Sequence, residues 1–181
     1  MERLPYRATL QAAAYEGIAT LPVTVVLDNV RSLYNVGSFF RTADGAGVEK
    51  LYLSGITGRP PQKAISKTAL GAEDTVPWDH TWEPVPLIQE LRTRGYEIAA
   101  IETTPQSVDI FDWQPNFPVC LLFGHEVDGL RPEVASLADR HVRVPMLGTK
   151  HSLNVATAGG IVIYELLRKY RRLKERERIT L

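Results

Sequence analysis

The chain has 181 residues, of which 44% are hydrophobic and 23% are charged, and this composition is typical of one globular domain. Its 21 basic and 21 acidic residues cancel, and its longest apolar run, residues 119–123, is far shorter than the roughly 20 residues of a membrane-spanning helix. One cysteine, Cys120, and four histidines in no zinc-binding spacing exclude an internal disulfide and make a metal site unexpected.

The first 22 residues are predicted to form an N-terminal arm, helical around Ala12 and ending near Gly17. The domain proper is expected to span residues 23–181. Glu2 and Pro5 come early in the arm, and no apolar segment of the kind found in a secretory signal follows them. We therefore expect a cytoplasmic protein.

Strands and helices are predicted to alternate along the rest of the chain. Apolar runs followed by polar or glycine-containing loops predict strands over residues 23–28, 50–54, 75–78, 96–101, 118–123 and 141–144. Helical patterns cover residues 36–46, 62–70, 86–94 and 152–175. Because parallel strands need such crossovers, the sequence predicts an α/β fold with a mostly parallel sheet flanked by helices. Ligands bind these sheets at the carboxyl ends of the strands, here after Leu27, Ile101, Phe123 and Val144.

Two common nucleotide-binding patterns are absent from the sequence. Gly45 and Gly47 come nearest to a dinucleotide fingerprint, but no third glycine follows, and they lie between a helix and the next strand. No glycine-rich loop ending in Gly-Lys-Ser or Gly-Lys-Thr is present either. The sequence therefore disfavours an α/β enzyme that uses NAD or ATP.

Three segments resemble, in order, the signature motifs of the SpoU (TrmH) family of RNA ribose 2′-O-methyltransferases: residues 27–43, 122–130 and 144–156. The resemblance implies a SPOUT-type α/β domain with a deep C-terminal trefoil knot, and a homodimer. It also implies S-adenosylmethionine as methyl donor and structured tRNA or rRNA as substrate. The alternative is a knotted RNA-binding protein that has lost catalysis.

The resemblance also assigns site residues. It implies a catalytic set of Asn35, Arg41, Glu126, Ser152 and Asn154. It implies donor binding by Thr103, Phe123, Gly124, Gly129, Val144, Met146, Ser152 and Leu153. Charge and position add candidates for RNA phosphate contacts, namely Arg31, Arg41, Arg59, Lys63, Arg171 and Arg172.

Some of these roles have structural alternatives. Glu126 could equally hold its loop together, and Ser152 is a candidate N-cap of the last helix. A guanidinium with a pKa above about 12 offers no free base at neutral pH, so we expect Arg41 to clamp the phosphate beside the target ribose. Asn35 would orient Arg41, and the hydroxyl proton would pass to that phosphate, to water or to a transiently neutral guanidine.

The C-terminal segment is strongly basic although the net charge is zero. Residues 168–178 contain seven basic and two acidic residues. They could bind RNA phosphates, or they could be a solvated helix end whose cations complement the helix dipole. The apolar residues of the same helix cover more than one stripe, which favours a homodimer.

Overall fold

The structure, a computed structural model, describes residues 20–180. The seven strands are β1 (Leu21–Asp28), β2 (Val48–Ser54), β3 (Trp78–Thr81), β4 (Glu97–Ile101), β5 (Val108–Asp109), β6 (Val119–Phe123) and β7 (Arg140–Arg143). The α-helices are α1 (Leu33–Ala46), α2 (Lys63–Ala69), α3 (Pro84–Thr93), α4 (Pro132–Ala135) and α5 (Val155–Thr180), and a short 3-10 helix spans Ala72–Asp74. The predicted N-terminal arm lies outside the described residues, except that β1 already begins at Leu21.

All strand pairs of the sheet are parallel, in the order β3-β2-β1-β6-β4-β7-β5. The chain first builds β1, β2 and β3 toward one edge and then places the other four strands on the opposite side of β1. Leu27 pairs with Phe123, and Ile101 pairs with Val142, so the carboxyl ends of four strands lie at one edge. The α/β prediction is confirmed.

Alternating side chains of the central strands enter two hydrophobic layers, as expected for a sheet that is covered on both faces. Leu27 and Phe123 pack with residues of α1, α2 and α5. Val26 and Leu122 pack on the opposite face with Ile88 and its neighbours from α3 and α4.

The last helix places most of its apolar residues in the chain's own core. Val162, Ile163 and Leu166 are fully buried, and Leu167 is nearly so. Ile161 remains exposed on the other side. The apolar pattern of α5 is therefore largely explained within one chain, and it argues less strongly for a homodimer than the sequence alone suggested. In the part of the chain that the structure describes, no helix is long and apolar enough to cross a membrane.

Several element boundaries differ from the sequence-based prediction, and two of these differences have a clear local cause. Helix α1 begins three residues early, at Leu33, because the Ser32 side chain accepts a hydrogen bond from the Asn35 amide and caps it. Strand β3 begins at Trp78 and not at residue 75, because Thr75 closes the 3-10 turn and its hydroxyl donates to Asp44 Oδ1 at 2.8 Å. The short elements β5 and α4 were not predicted, since two and four residues give no periodicity.

The predicted N-cap of the last helix was wrong. Helix α5 begins at Val155, and Asn154 caps it: its Oδ1 accepts hydrogen bonds from the amides of Ala156 (3.0 Å) and Thr157 (3.2 Å). Ser152 lies before the cap and is exposed. This leaves the Ser152 hydroxyl available at the surface.

Candidate functional site

A cavity of about 540 Å³ opens at the carboxyl ends of β4, β6 and β7. Its volume lies within the roughly 300–1,000 Å³ that is usual for small-molecule sites. All eight residues expected to bind the methyl donor line it: Thr103, Phe123, Gly124, Gly129, Val144, Met146, Ser152 and Leu153. Three chain segments that are distant in sequence therefore form one concave surface.

Two glycines allow one wall of this cavity to be built from backbone. A Cβ on Gly124 would lie 2.3 Å from the carbonyl carbon of Gly129 and from the amide nitrogen of Leu130. Gly129 has a φ of 73°, in the left-handed region that favours glycine. His125 and Gly129 exchange two backbone hydrogen bonds of 3.0 Å, which close the loop between them. The absence of a Cβ on Gly124 thus allows this loop to fold back tightly on itself.

The imidazole of His125 holds the same loop. Its Nδ1 accepts hydrogen bonds from the amides of Val127 (3.2 Å) and Asp128 (3.1 Å). The Asp128 carboxylate lies 3.0 Å from the same nitrogen.

Glu126 connects this loop to the beginning of α1. Its carboxylate accepts hydrogen bonds from the amides of Arg31 (3.0 Å) and Ser32 (2.9 Å) and from Asn35 Nδ2 (2.9 Å). Partial burial alone would raise the pKa of Glu126, but these hydrogen bonds outweigh it and the pKa is lowered. The carboxylate therefore stays ionised at neutral pH, and its geometry supports the structural role over a catalytic one.

Asn35 and Asn154 extend this network to the third segment. Asn154 Nδ2 donates to Asn35 Oδ1 at 3.1 Å, while the other end of the Asn35 amide donates to Glu126. The hydrogen bonds thus run from Glu126 through Asn35 to the cap of α5. Both ends of the Asn35 amide bind these two residues, so the expectation that Asn35 orients Arg41 is not met.

Arg41 lies on a different side of α1. Six residues of continuous helix separate it from Asn35, which places it about 240° around the helix axis. It does not line the first cavity but a second one of about 440 Å³, together with Ser38, Thr42, Lys67, Thr68 and Tyr164. Within residues 20–180, the exposed Arg41 guanidinium has no hydrogen-bond or ion-pair partner. The expected return of its side chain toward the first loop is not observed.

Lys67 is a cation that the sequence reading missed. It lies four residues after Lys63, so both share one face of α2, and this spacing was the available signal. Lys67 is exposed and, among the described residues, has no acidic partner. The cavity therefore combines two available cations with several hydroxyl groups.

The other candidate cations differ in how far they are paired. Arg31, Arg59 and Lys63 are exposed, near the first segment and the start of α2. In the C-terminal helix, Arg171 Nε lies 2.9 Å from Glu175 Oε1. Such pairs on an exposed helix are weak, typically about 0.3–0.5 kcal/mol, and phosphates could displace them. Arg172 is exposed and has no partner within the described residues.

An ion pair with a buried carboxylate anchors the far end of the glycine loop. Arg131 donates to both carboxylate oxygens of Asp28 at 3.0 Å, and Ser54 Oγ adds a hydrogen bond of 3.1 Å. Asp28 is 1% exposed at the end of β1, and its hydrogen bond is the main cause that raises the pKa of Arg131. Sequence reasoning missed this pair, because only an acid at the end of an apolar strand hints at it.

No group suited to metal binding or thiol chemistry adds to the site. Across residues 20–180, no three His, Cys, Asp or Glu side chains are grouped as metal ligands. Burial raises the pKa of the Cys120 thiol to about 12, which keeps it protonated in the interior of the sheet. The chemistry of the site therefore depends on its amides, hydroxyls, carboxylates and cations.

Sequence comparisons identify related proteins. The model of the SpoU rRNA Methylase family matches residues 22–164. The tRNA (guanosine(18)-2'-O)-methyltransferase of Aquifex aeolicus is 32% identical over 145 residues, which are 80% of this chain and 68% of that protein. The 23S rRNA (guanosine-2'-O-)-methyltransferase RlmB of Vibrio parahaemolyticus is 31% identical over 149 residues, which are 82% of this chain and 60% of that protein. The chain thus spans between 60% and 68% of the length of these two relatives.

Solved structures show the same fold. The A. aeolicus TrmH/SpoU tRNA modifying enzyme superposes with a TM-score of 0.78 at 30% identity, covering 86% of this chain and 78% of that one. The AdoMet-bound rRNA methyltransferase of Sinorhizobium meliloti gives a TM-score of 0.75 at 33% identity, covering 81% and 56%.

Proposed function

Because the chain belongs to the SpoU rRNA methylase family, we propose that it transfers a methyl group from S-adenosylmethionine to a ribose 2′-hydroxyl of a structured RNA. The observation that carries this proposal is the single cavity lined by all eight expected donor-binding residues. The related S. meliloti enzyme is described as AdoMet-bound, and the two sequence relatives are described as guanosine 2′-O-methyltransferases of tRNA and of 23S rRNA. The substrate is therefore proposed as tRNA or rRNA without a choice between them.

The cavity has the volume of a small-molecule site, about 540 Å³. The missing Cβ atoms of Gly124 and Gly129 let the loop pack tightly, because Gly124 lies against the backbone of Gly129 and Leu130 and Gly129 lies against Glu102. When bound, S-adenosylmethionine supplies an electrophilic methyl group. Thr103, Phe123, Val144, Met146 and Leu153 would enclose the donor, and the exposed Ser152 hydroxyl would face the donor or the RNA.

Arg41 and Lys67 would hold the RNA. Two cations in one cavity suit a phosphodiester, and a guanidinium can donate to two phosphate oxygens at once. Loss of the hydroxyl proton to that phosphate or to water would then need no neutral guanidine. Arg31, Arg59, Lys63, Arg171 and Arg172 remain predicted outer contacts with the RNA backbone.

Glu126, Asn35 and Asn154 would act as positioning residues. Their hydrogen bonds connect the first segment, the glycine loop and the cap of α5, so the donor pocket and α1 are held in fixed relative positions. In this proposal Arg41 contacts the substrate, and the three polar residues hold the elements of the site in position. The alternative of an inactive RNA-binding protein has no specific observation in its favour.

The first experiment measures donor binding and methyl transfer separately. Isothermal titration should show one S-adenosylmethionine site per chain. The purified protein should also incorporate tritiated methyl groups into RNA from a strain that lacks its gene, at riboses mapped by mass spectrometry. Failure to bind S-adenosylmethionine would overturn the function, whereas binding without transfer to either tRNA or rRNA would favour the inactive alternative.

We also propose a homodimer that uses the outer face of α5. Ile161 is 36% exposed and Tyr164 is 49% exposed on this face, and the family resemblance favours a dimer. Sedimentation should give twice the chain mass of 20.2 kDa, and Ile161→Glu should weaken the association. Ile179→Glu, at an 85% exposed site of the same helix, is the control that should leave the mass unchanged. A wild-type monomer at micromolar concentration would contradict the proposal.

The trefoil knot is likewise a proposal. It is supported by the path of the chain after β7, which passes beside the glycine loop in the same cavity before Asn154 contacts Asn35 near β1. Because knots are rare in proteins, the proposal rests on the family resemblance together with this path.

A further inference from the structure

Glu102 places a carboxylate in the donor cavity, and this carboxylate has no part in the roles described so far. It directly follows β4, and its amide donates to the Val142 carbonyl at 3.0 Å, which fixes its backbone. Its side chain lines the cavity against the Gly129 backbone, where a Cβ on Gly129 would lie 2.2 Å from Glu102 Oε1. The absent Cβ of Gly129 therefore makes room for this carboxylate.

The Glu102 carboxylate has no hydrogen-bond or ion-pair partner among residues 20–180. Of the other two acids of the cavity, Glu126 already accepts three hydrogen bonds, and the Asp128 side chain is 81% exposed to solvent. A partly buried carboxylate is stabilised when it accepts hydrogen bonds. Glu102 is thus the carboxylate of this cavity that remains available to a ligand.

We propose that Glu102 binds the ribose of S-adenosylmethionine by accepting hydrogen bonds from its two hydroxyl groups. A carboxylate presents two acceptor oxygens, and a vicinal diol presents two O–H donors, so the two groups match as a bidentate pair. An acid near the end of a strand binds a nucleotide ribose in the same way in other α/β folds. The inference rests on the proposed function, and it adds a residue that recognises the donor.

The test compares the wild type with Glu102→Ala and Glu102→Gln by isothermal titration. The ligands are S-adenosylmethionine, S-adenosylhomocysteine, which has no positive sulfur, and 5′-methylthioadenosine, which lacks the amino-acid group as well. Glu102→Ala should weaken all three by a similar factor of roughly 10 to 100, the range for hydrogen bonds to a charged group. Glu102→Gln keeps one acceptor oxygen and should lose less. The 2′-deoxy analogue of methylthioadenosine should bind the wild type more weakly but lose less affinity in Glu102→Ala.

Glu90→Gln is the matched control, because it removes one negative charge at an acid that does not line the donor cavity. It should leave all three affinities within about threefold, since the Glu90 side chain is 65% exposed and pairs with Arg94. A loss confined to S-adenosylmethionine would overturn the proposal in favour of attraction to the sulfonium. Unchanged affinities in Glu102→Ala would overturn it outright. Absence of donor binding by the wild type would instead overturn the proposed function, so the two failures are distinguishable.

Discussion

Replacing Arg41 with alanine is expected to lower the rate of methyl transfer by about a hundredfold or more, the usual cost of losing a transition-state contact. The affinity for S-adenosylmethionine should stay within a few-fold, because Arg41 does not line the donor cavity. Stability should also change little, since the exposed guanidinium has no partner among the described residues. Isothermal titration and a tritiated-methyl assay measure the two quantities.

Two companion variants sharpen this experiment. Arg41→Lys keeps the charge but loses the bidentate geometry, so it should recover only part of the activity. Arg94→Ala removes an exposed arginine that pairs with Glu90 next to α3, and it should leave transfer unchanged. Turnover of Arg41→Ala above about a tenth of the wild-type value would remove Arg41 from the chemical step.

Replacing Gly124 with alanine is expected to reduce donor affinity by about tenfold to a hundredfold. The new Cβ would meet backbone atoms of Gly129 and Leu130 at 2.3 Å, and backbone cannot move aside as a flexible side chain can. Overpacking of this kind typically costs about 1–3 kcal/mol, and here the displaced loop is a wall of the donor cavity. Isothermal titration measures the loss, and circular dichroism reports whether the fold persists.

Gly148→Ala provides the matched control for this prediction. A Cβ at Gly148 has no atom within 4 Å, so the same substitution should be neutral for binding and stability. Donor affinity of Gly124→Ala within about threefold of the wild type would show that the glycine loop is not the wall on which the donor lies.

The sequence predicted the central sheet well, and the residues that it assigned to donor binding come together in one cavity, because both results follow from strong local patterns. The apolar runs of β1, β4 and β6 predict strands directly. Parallel pairing of these strands then brings the loops after Ile101 and Phe123 to one edge of the sheet. The three motif segments follow β1, β6 and β7, whose carboxyl ends lie at the same edge, so their residues converge in the fold.

Features that depend on distant contacts were not predicted correctly. Serine and asparagine are both favourable N-cap residues, so the sequence did not distinguish Ser152 from Asn154. In the structure Asn154 is the cap, and it also contacts Asn35, 119 residues away. The Arg41 side chain lies on a different side of α1 from Asn35, because α1 begins at Leu33 and both residues are part of the same continuous helix. The Asp28 and Arg131 pair, which lies 103 residues apart, left no local signal.

The hydrogen bonds of Glu126 and Asn154 to Asn35 join residues 91 and 119 positions apart, and this has a consequence for protein synthesis. A ribosome that has released the chain only as far as α4 has delivered β1, the glycine loop and most of the sheet, but neither Asn154 nor α5. Nonlocal pairings of this kind form slowly, after the intervening chain has closed. The cavity and its hydrogen-bond network are therefore completed only after Asn154 and the beginning of α5 have left the ribosome.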